Sequence, residues 1–90
     1  MSLLKNKNAI ITGGSRGIGK SIGIHLAKEA CNLAIIGRTK KEVIDSVDLI
    51  KQFGVKAHGY IGDQRDESFV KNTISQINNE YGTIDILINN

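Results

Sequence analysis

Between Thr12 and Gly19 the sequence reads Thr-Gly-Gly-Ser-Arg-Gly-Ile-Gly, with no bulky apolar side chain before Ile18. Glycine lacks Cβ, so it takes positive φ without strain and lets backbone come close to a ligand. Where such a turn opens a helix, the free N–H groups and the positive end of the helix dipole attract an anion such as a diphosphate. Gly13, Gly14, Ser15, Arg16, Gly17, Ile18 and Gly19 are therefore candidate contacts of a dinucleotide. Arg16 and, further on, Arg38 can make forked, charge-assisted contacts with a phosphate dianion. The remaining reactive side chains are isolated. Cys31 is the single cysteine, which leaves neither a disulfide framework nor a Cys-x-x-Cys metal site and reads as a buried structural thiol. His25 has no second ligand at helical spacing and reads as a surface residue.

The elements that must position this turn follow from the apolar pattern. Residues 8–12 carry the continuous run Ala9, Ile10, Ile11, which predicts a strand covered on both faces, after a polar lead-in over residues 1–7. A helix follows, with Ile18, Ile22, Leu26, Ala27 and Ala30 expected on one face and Gly23 as a close-packing site. Leu33 to Ile36 form a second buried strand, ending at Gly37, Arg38 and Thr39. Residues 40–53 read as a helix with Val43, Val47 and Ile50 inward and Gly54 just past its end. A weaker strand spans residues 55–61, interrupted by His58 and Gly59. Asp66 then caps a helix running to Tyr81, with Val70, Ile74, Ile77 and Tyr81 inward and Gly82 closing it. Residues 84–89 are again strand-like.

Strands alternating with helices give three β-α-β units and hence a parallel sheet with right-handed crossovers. The expected fold class is α/β, a doubly wound sheet with strands in order 3-2-1-4. No linker, repeat or low-complexity segment divides residues 1–90, so one domain is expected. Its last strand is apolar on both faces, with the sequence stopping shortly after it, and the reading is the front part of a longer domain. With 40% hydrophobic and 23% charged residues the composition is that of a globular protein. The net charge of +3 comes from Lys and Arg scattered among nine acidic residues, which argues against nucleic acid. Lacking a signal-peptide pattern and an 18-residue apolar span, the chain is expected to be cytoplasmic and not membrane-bound.

The glycine spacing, Gly13-x-x-x-Gly17-x-Gly19, differs from the general G-x-G-x-x-G fingerprint. In its strand-turn-helix setting it resembles the T-G-x-x-x-G-x-G signature of the short-chain dehydrogenase/reductase family. Asp85-Ile86-Leu87-Ile88-Asn89-Asn90 resembles the stretch leading into that family's N-N-A-G motif, and Asp63 matches its acidic residue near the adenine. The resemblance implies the N-terminal, cofactor-binding part of a Rossmann-type domain. It further implies that backbone at Gly13, Ser15, Arg16 and Ile18 lines the diphosphate and adenosine ribose, while Gly17 and Gly19 serve the turn and the helix packing. Asp63 and Gln64 would sit beside the adenine and Asn90 near the nicotinamide-side ribose, with Asn89 holding strands together.

Enzymes using NAD usually place an acid after the second strand to bind the ribose 2′-OH. Here Gly37, Arg38 and Thr39 stand there, and the first acid is Glu42, so NADP(H) is expected over NAD(H). The alternative is that Arg16 and Arg38 are solvated surface charges. The activity implied is hydride transfer between a carbonyl and an alcohol, and the general similarity to 3-oxoacyl-[acyl-carrier-protein] reductases suggests an acyl-carrier-bound or small-molecule carbonyl substrate in a homo-oligomeric parent protein. The family's catalytic Ser and Tyr-x-x-x-Lys are not found, since neither Tyr60 nor Tyr81 has Lys four residues on, and no catalytic residue is assigned. A non-catalytic cofactor-binding or interaction module is the alternative. A methyltransferase is disfavoured because it too prefers an acid where Arg38 stands.

Overall fold

A computed structural model of the chain describes residues 3–90; Met1 and Ser2, the start of the polar lead-in, lie outside the described residues. Along it run β1 (Asn8–Thr12), α1 (Gly17–Lys28), β2 (Asn32–Gly37), α2 (Lys40–Lys51), β3 (Ala57–Ile61), α3 (Glu67–Tyr81) and β4 (Ile86–Asn89). The strands form one parallel sheet in the order β3-β2-β1-β4, as expected.

Because side chains alternate across a strand, each apolar run feeds two cores. Ala9, Ile11, Leu33, Ile35 and Ala57 pack against Ala27 of α1 and Val43, Val47 and Ile50 of α2. Ile10, Ala34, Ile36 and Tyr60 face the other way, onto Ile77 of α3. Helices thus cover both faces, which is why the runs are continuous rather than alternating. Gly59, which breaks the apolar pattern of β3, is where α2 presses closest: a Cβ there would stand 2.4 Å from Val43 Cγ1.

The inward face of α1 differs from the expected stripe. Gly19, Gly23 and Ala27 are buried, Ile22 and Leu26 only half-buried, and Ile18 is 72% exposed. The helix lies so close to the sheet that only small residues fit beneath it. A Cβ on Gly23 would already touch Ile11 Cδ1 and Ile50 Cδ1 at 3.4 Å, so the larger apolar side chains are displaced to the flanks. Ala30 lies beyond the helix, in the left-handed region at φ 65°. On α3 the buried residues are Thr73 and Ile77, with Val70, Ile74 and Tyr81 half-buried beside them, and Asp66 caps the helix by accepting from the Phe69 N–H at 3.2 Å.

Two strands are shorter than their patterns. Before β3, the Lys56 N–H donates to Asn32 Oδ1 (3.0 Å) instead of continuing the ladder. Before β4, Asp85 Oδ2 accepts the Asn8 N–H (2.9 Å), and the Asn8 side chain donates to the Thr83 and Tyr81 carbonyls. Asn32 Nδ2 donates to Asn8 Oδ1 at 3.0 Å. Two asparagines in register thereby stitch β1, β2 and the approach to β3 at one end of the sheet, leaving the carboxyl ends of the strands for the glycine-rich turn.

Candidate functional site

At the carboxyl end of β1 the chain turns through Gly13, at φ 69°, whose N–H donates to the Ile36 carbonyl at 2.8 Å and so ties the turn to β2. Asn90, following β4, closes the other side: its N–H donates to Thr12 Oγ1 (3.2 Å) and its Nδ2 to the Gly13 carbonyl (3.3 Å). Thr12 Oγ1 also donates to Asn89 Oδ1 at 2.9 Å, so Asn89 links β4 to β1. Gly19 sits under the turn, where a Cβ would stand 2.3 Å from the Gly13 carbonyl oxygen. Arg16 is the extended N-cap residue of α1; no side chain caps the helix and its first turn holds no acid. Gly17, at φ 62°, has open space where a Cβ would be. The positive end of α1 therefore faces a space that neither a side chain nor an acid fills.

That space is a cleft of about 600 Å³ at the carboxyl ends of β1, β2 and β3. Gly13, Ser15, Arg16, Gly17 and Ile18 line it from the turn, Arg38 from the end of β2, Asp63 and Gln64 from beyond β3, and Asn90 from beyond β4. The structure thus brings together residues 77 positions apart in the chain. Gly14 and Gly19 do not line the cleft. Both are packing positions: a Cβ on Gly14 would meet Ile11 Cγ2 at 3.0 Å. Ile36, Gly37, Thr39, Glu42, Gly62 and Arg65 also line it, none of them among the contacts proposed from the sequence. For Gly37 the reason is steric, since a Cβ would lie 2.8 Å from Ser15 Oγ.

Charge in the cleft is divided unevenly. Asp63 accepts the Arg65 backbone N–H (2.9 Å), Arg65 Nε (3.1 and 3.2 Å to its two oxygens) and Arg65 Nη2 (2.8 Å). These bonds hold its carboxyl well below the usual carboxylate range, with Arg38 adding a smaller attraction. Arg16 Nε lies 3.8 Å from Glu42 Oε2, a looser pair. Three guanidinium groups meet two carboxylates, leaving one positive charge in excess. Among the described residues, Arg38 is the cleft cation with no carboxylate at ion-pair distance.

The reactive groups elsewhere are engaged in the fold. Tyr60 donates to Glu80 Oε1 at 2.9 Å, and Tyr81 to the Leu33 carbonyl; burial first of all pushes both phenols above the ordinary tyrosine range. Neither lines the cleft. Cys31 is fully buried, donates to the Lys7 carbonyl (3.3 Å), and its thiol is raised by burial. His25 is exposed. Among the described residues no cluster of His, Cys, Asp and Glu could hold a metal, and no helix is long and apolar enough to cross a membrane.

Set beside known proteins, residues 7–90 match the family model of short chain dehydrogenases. The short-chain dehydrogenase/reductase homolog YusS of Bacillus subtilis (strain 168) is 38% identical over 86 residues, which cover 94% of this chain and 79% of YusS. The 3-oxoacyl-[acyl-carrier-protein] reductase FabG of Staphylococcus epidermidis is 36% identical over 86 residues, 94% of this chain but 35% of FabG. Among solved structures, L-sorbose reductase from Gluconobacter frateurii, complexed with NADPH and L-sorbose, has a TM-score of 0.92 and 30% identity, covering 97% of this chain and 34% of that one. NAD+-bound xylitol dehydrogenase, 24% identical, shares the fold with a TM-score of 0.93 over 96% of this chain and 33% of its own. The chain therefore spans about four-fifths of YusS and about a third of the other three.

Proposed function

Since the chain belongs to the short-chain dehydrogenase family, we propose that it carries the cofactor site of an NADP(H)-dependent oxidoreductase interconverting a carbonyl and an alcohol. When bound, the nicotinamide supplies or accepts the hydride. This chain's part is to hold and orient. The N–H groups from Ser15 to Ile18 and the uncapped end of α1 take the diphosphate, and the open position at Gly17 leaves it room. Gln64, beside an Asp63 already occupied by Arg65, flanks the adenine, and Asn90 stands toward the nicotinamide-side ribose.

One observation carries the choice of NADP(H): among the described residues Arg38, just past β2, is the cleft cation with no carboxylate at ion-pair distance. It is available to a 2′-phosphate, and no acid follows β2 directly to accept a 2′-OH. NADPH is expected to bind this polypeptide about tenfold more tightly than NADH, and Arg38→Ala to remove most of that preference, since a charge-assisted hydrogen bond contributes about 1.5–3 kcal/mol. Titration of both cofactors by fluorescence or calorimetry tests this; equal affinities for the unmodified chain would overturn it.

The similarity to FabG supports a 3-oxoacyl thioester as substrate, and a reducing cytoplasm suits the single buried thiol. Residues 1–90 hold no Tyr-x-x-x-Lys, and no residue of this stretch is assigned a proton-transferring role. A second reading, a cofactor-binding module without catalysis, is favoured by the 79% coverage of YusS. The intact mass of the natural protein, with NADPH consumption in the presence of a 3-oxoacyl thioester, separates the two.

A further inference from the structure

Glu42 and Ser46 lie one helical turn apart on α2 and share a face. Ser46 is fully buried, and its hydroxyl donates to the Ser15 carbonyl at 2.9 Å, inside the glycine-rich turn. This bond fixes the rotation of α2 against the turn and brings Glu42 opposite Arg16, the residue after Ser15, with Oε2 3.8 Å from Nε. The juxtaposition is set by a buried anchor, while the ion pair itself is loose: the Arg16 side chain is 81% exposed and that of Glu42 32%. An exposed pair at this distance, without a fork, exchanges partners readily.

We infer that Glu42 is a specificity-determining residue, a carboxylate that competes with a cofactor's 2′-phosphate for Arg16 and so moderates the preference for phosphorylated over unphosphorylated ribose. The inference rests on the NADP(H) reading above. A 2′-phosphate held by Arg38 and Arg16 brings two further negative charges toward Glu42, whereas a 2′-OH brings none and can donate to it. Glu42 therefore weakens one ligand class without weakening the other, and the site remains open to both.

Adenosine 2′,5′-bisphosphate and AMP isolate this contact, because they differ only at the 2′ position. In calorimetric titrations the unmodified chain binds the bisphosphate more tightly, and Glu42→Gln increases the ratio of the two affinities about fivefold, as expected for removing one charge about 4 Å from the pair's cation. Glu42→Asp keeps the charge and stays near the original ratio. A variant that merely loosened the fold would weaken both ligands together and leave the ratio unmoved. A preference for the bisphosphate that Glu42→Gln leaves unchanged or lowers overturns the role of Glu42 alone; equal affinities in both proteins overturn it together with the NADP(H) reading.

Discussion

Ala30 holds a position that glycine would fill without strain. At φ 65° it closes the turn after α1, its N–H donating to the Ala27 carbonyl and its own carbonyl accepting from Asn6. The left-handed region costs a non-glycine residue about 1–2 kcal/mol, while glycine gives back about 0.5–1 through a more flexible unfolded chain. Ala30→Gly should therefore stabilise the polypeptide by about 0.5–1 kcal/mol, raising the melting temperature by about 4 °C, and a calorimetric scan showing no rise would refute it. The turn was legible in the sequence, because a repeated need for absent side chains leaves its own spacing. What residue type does not tell is for whom the room is made. Gly13 and Gly17 border the cleft, whereas Gly14 and Gly19 make way for Ile11 and for the turn's own backbone. The fork of Arg65 on Asp63 had a signal in their two-residue spacing. The pairing of Arg16 with Glu42 had none, since it depends on how α2 docks.

Among the elements, α3 is tied to the edge strand β3 through one carboxylate. Glu80, in its last turn, accepts from Tyr60 (2.9 Å) and pairs with His58 Nδ1 (2.9 Å). The Tyr60 bond chiefly, with His58 adding, holds Glu80 below the usual carboxylate range, while burial and the same bond raise Tyr60. A lowered acid contributes stability above its unfolded value, about 4.3, and loses it as pH falls; a raised phenol contributes below about 10 and loses it as pH rises. The melting temperature should fall below about pH 5 and above about pH 8, where the Cys31 thiol and then the phenols ionise in the unfolded chain. Glu80→Gln should make the acid limb shallower, the remainder coming from Asp63, and Tyr60→Phe the alkaline limb, the remainder coming from Tyr81 and Cys31. Melting curves of both variants that retrace the unmodified profile would remove the tie from the account. The sequence marked His58 only as an interruption of an apolar run, because alternation predicts which face a residue takes and not which helix supplies its partner.

For the whole molecule, element number, parallel pairing and strand order followed from continuous apolar runs alternating with amphipathic helices, a pattern few folds satisfy. The small-residue underside of α1 did not, because helix-to-sheet distance is a property of the assembly. Nor did the fate of Leu87, 63% exposed on the face opposite Ile86 and Ile88. The burial of Cys31 between the end of α1 and β2 gives the molecule a built-in clock. A thiol reagent in solution cannot reach that sulfur until the chain opens, so the labelling rate counts openings without any introduced probe. A ligand that binds only the closed form slows the count by the factor one plus its concentration over Kd, about 100-fold at 100 times Kd. Saturating NADPH should retard labelling in that proportion, and a rate indifferent to it would mean that Cys31 is exposed by an opening that leaves the cleft intact. One sulfur atom, remote from the chemistry, thereby reports both how often the fold breathes and how tightly its cleft is held.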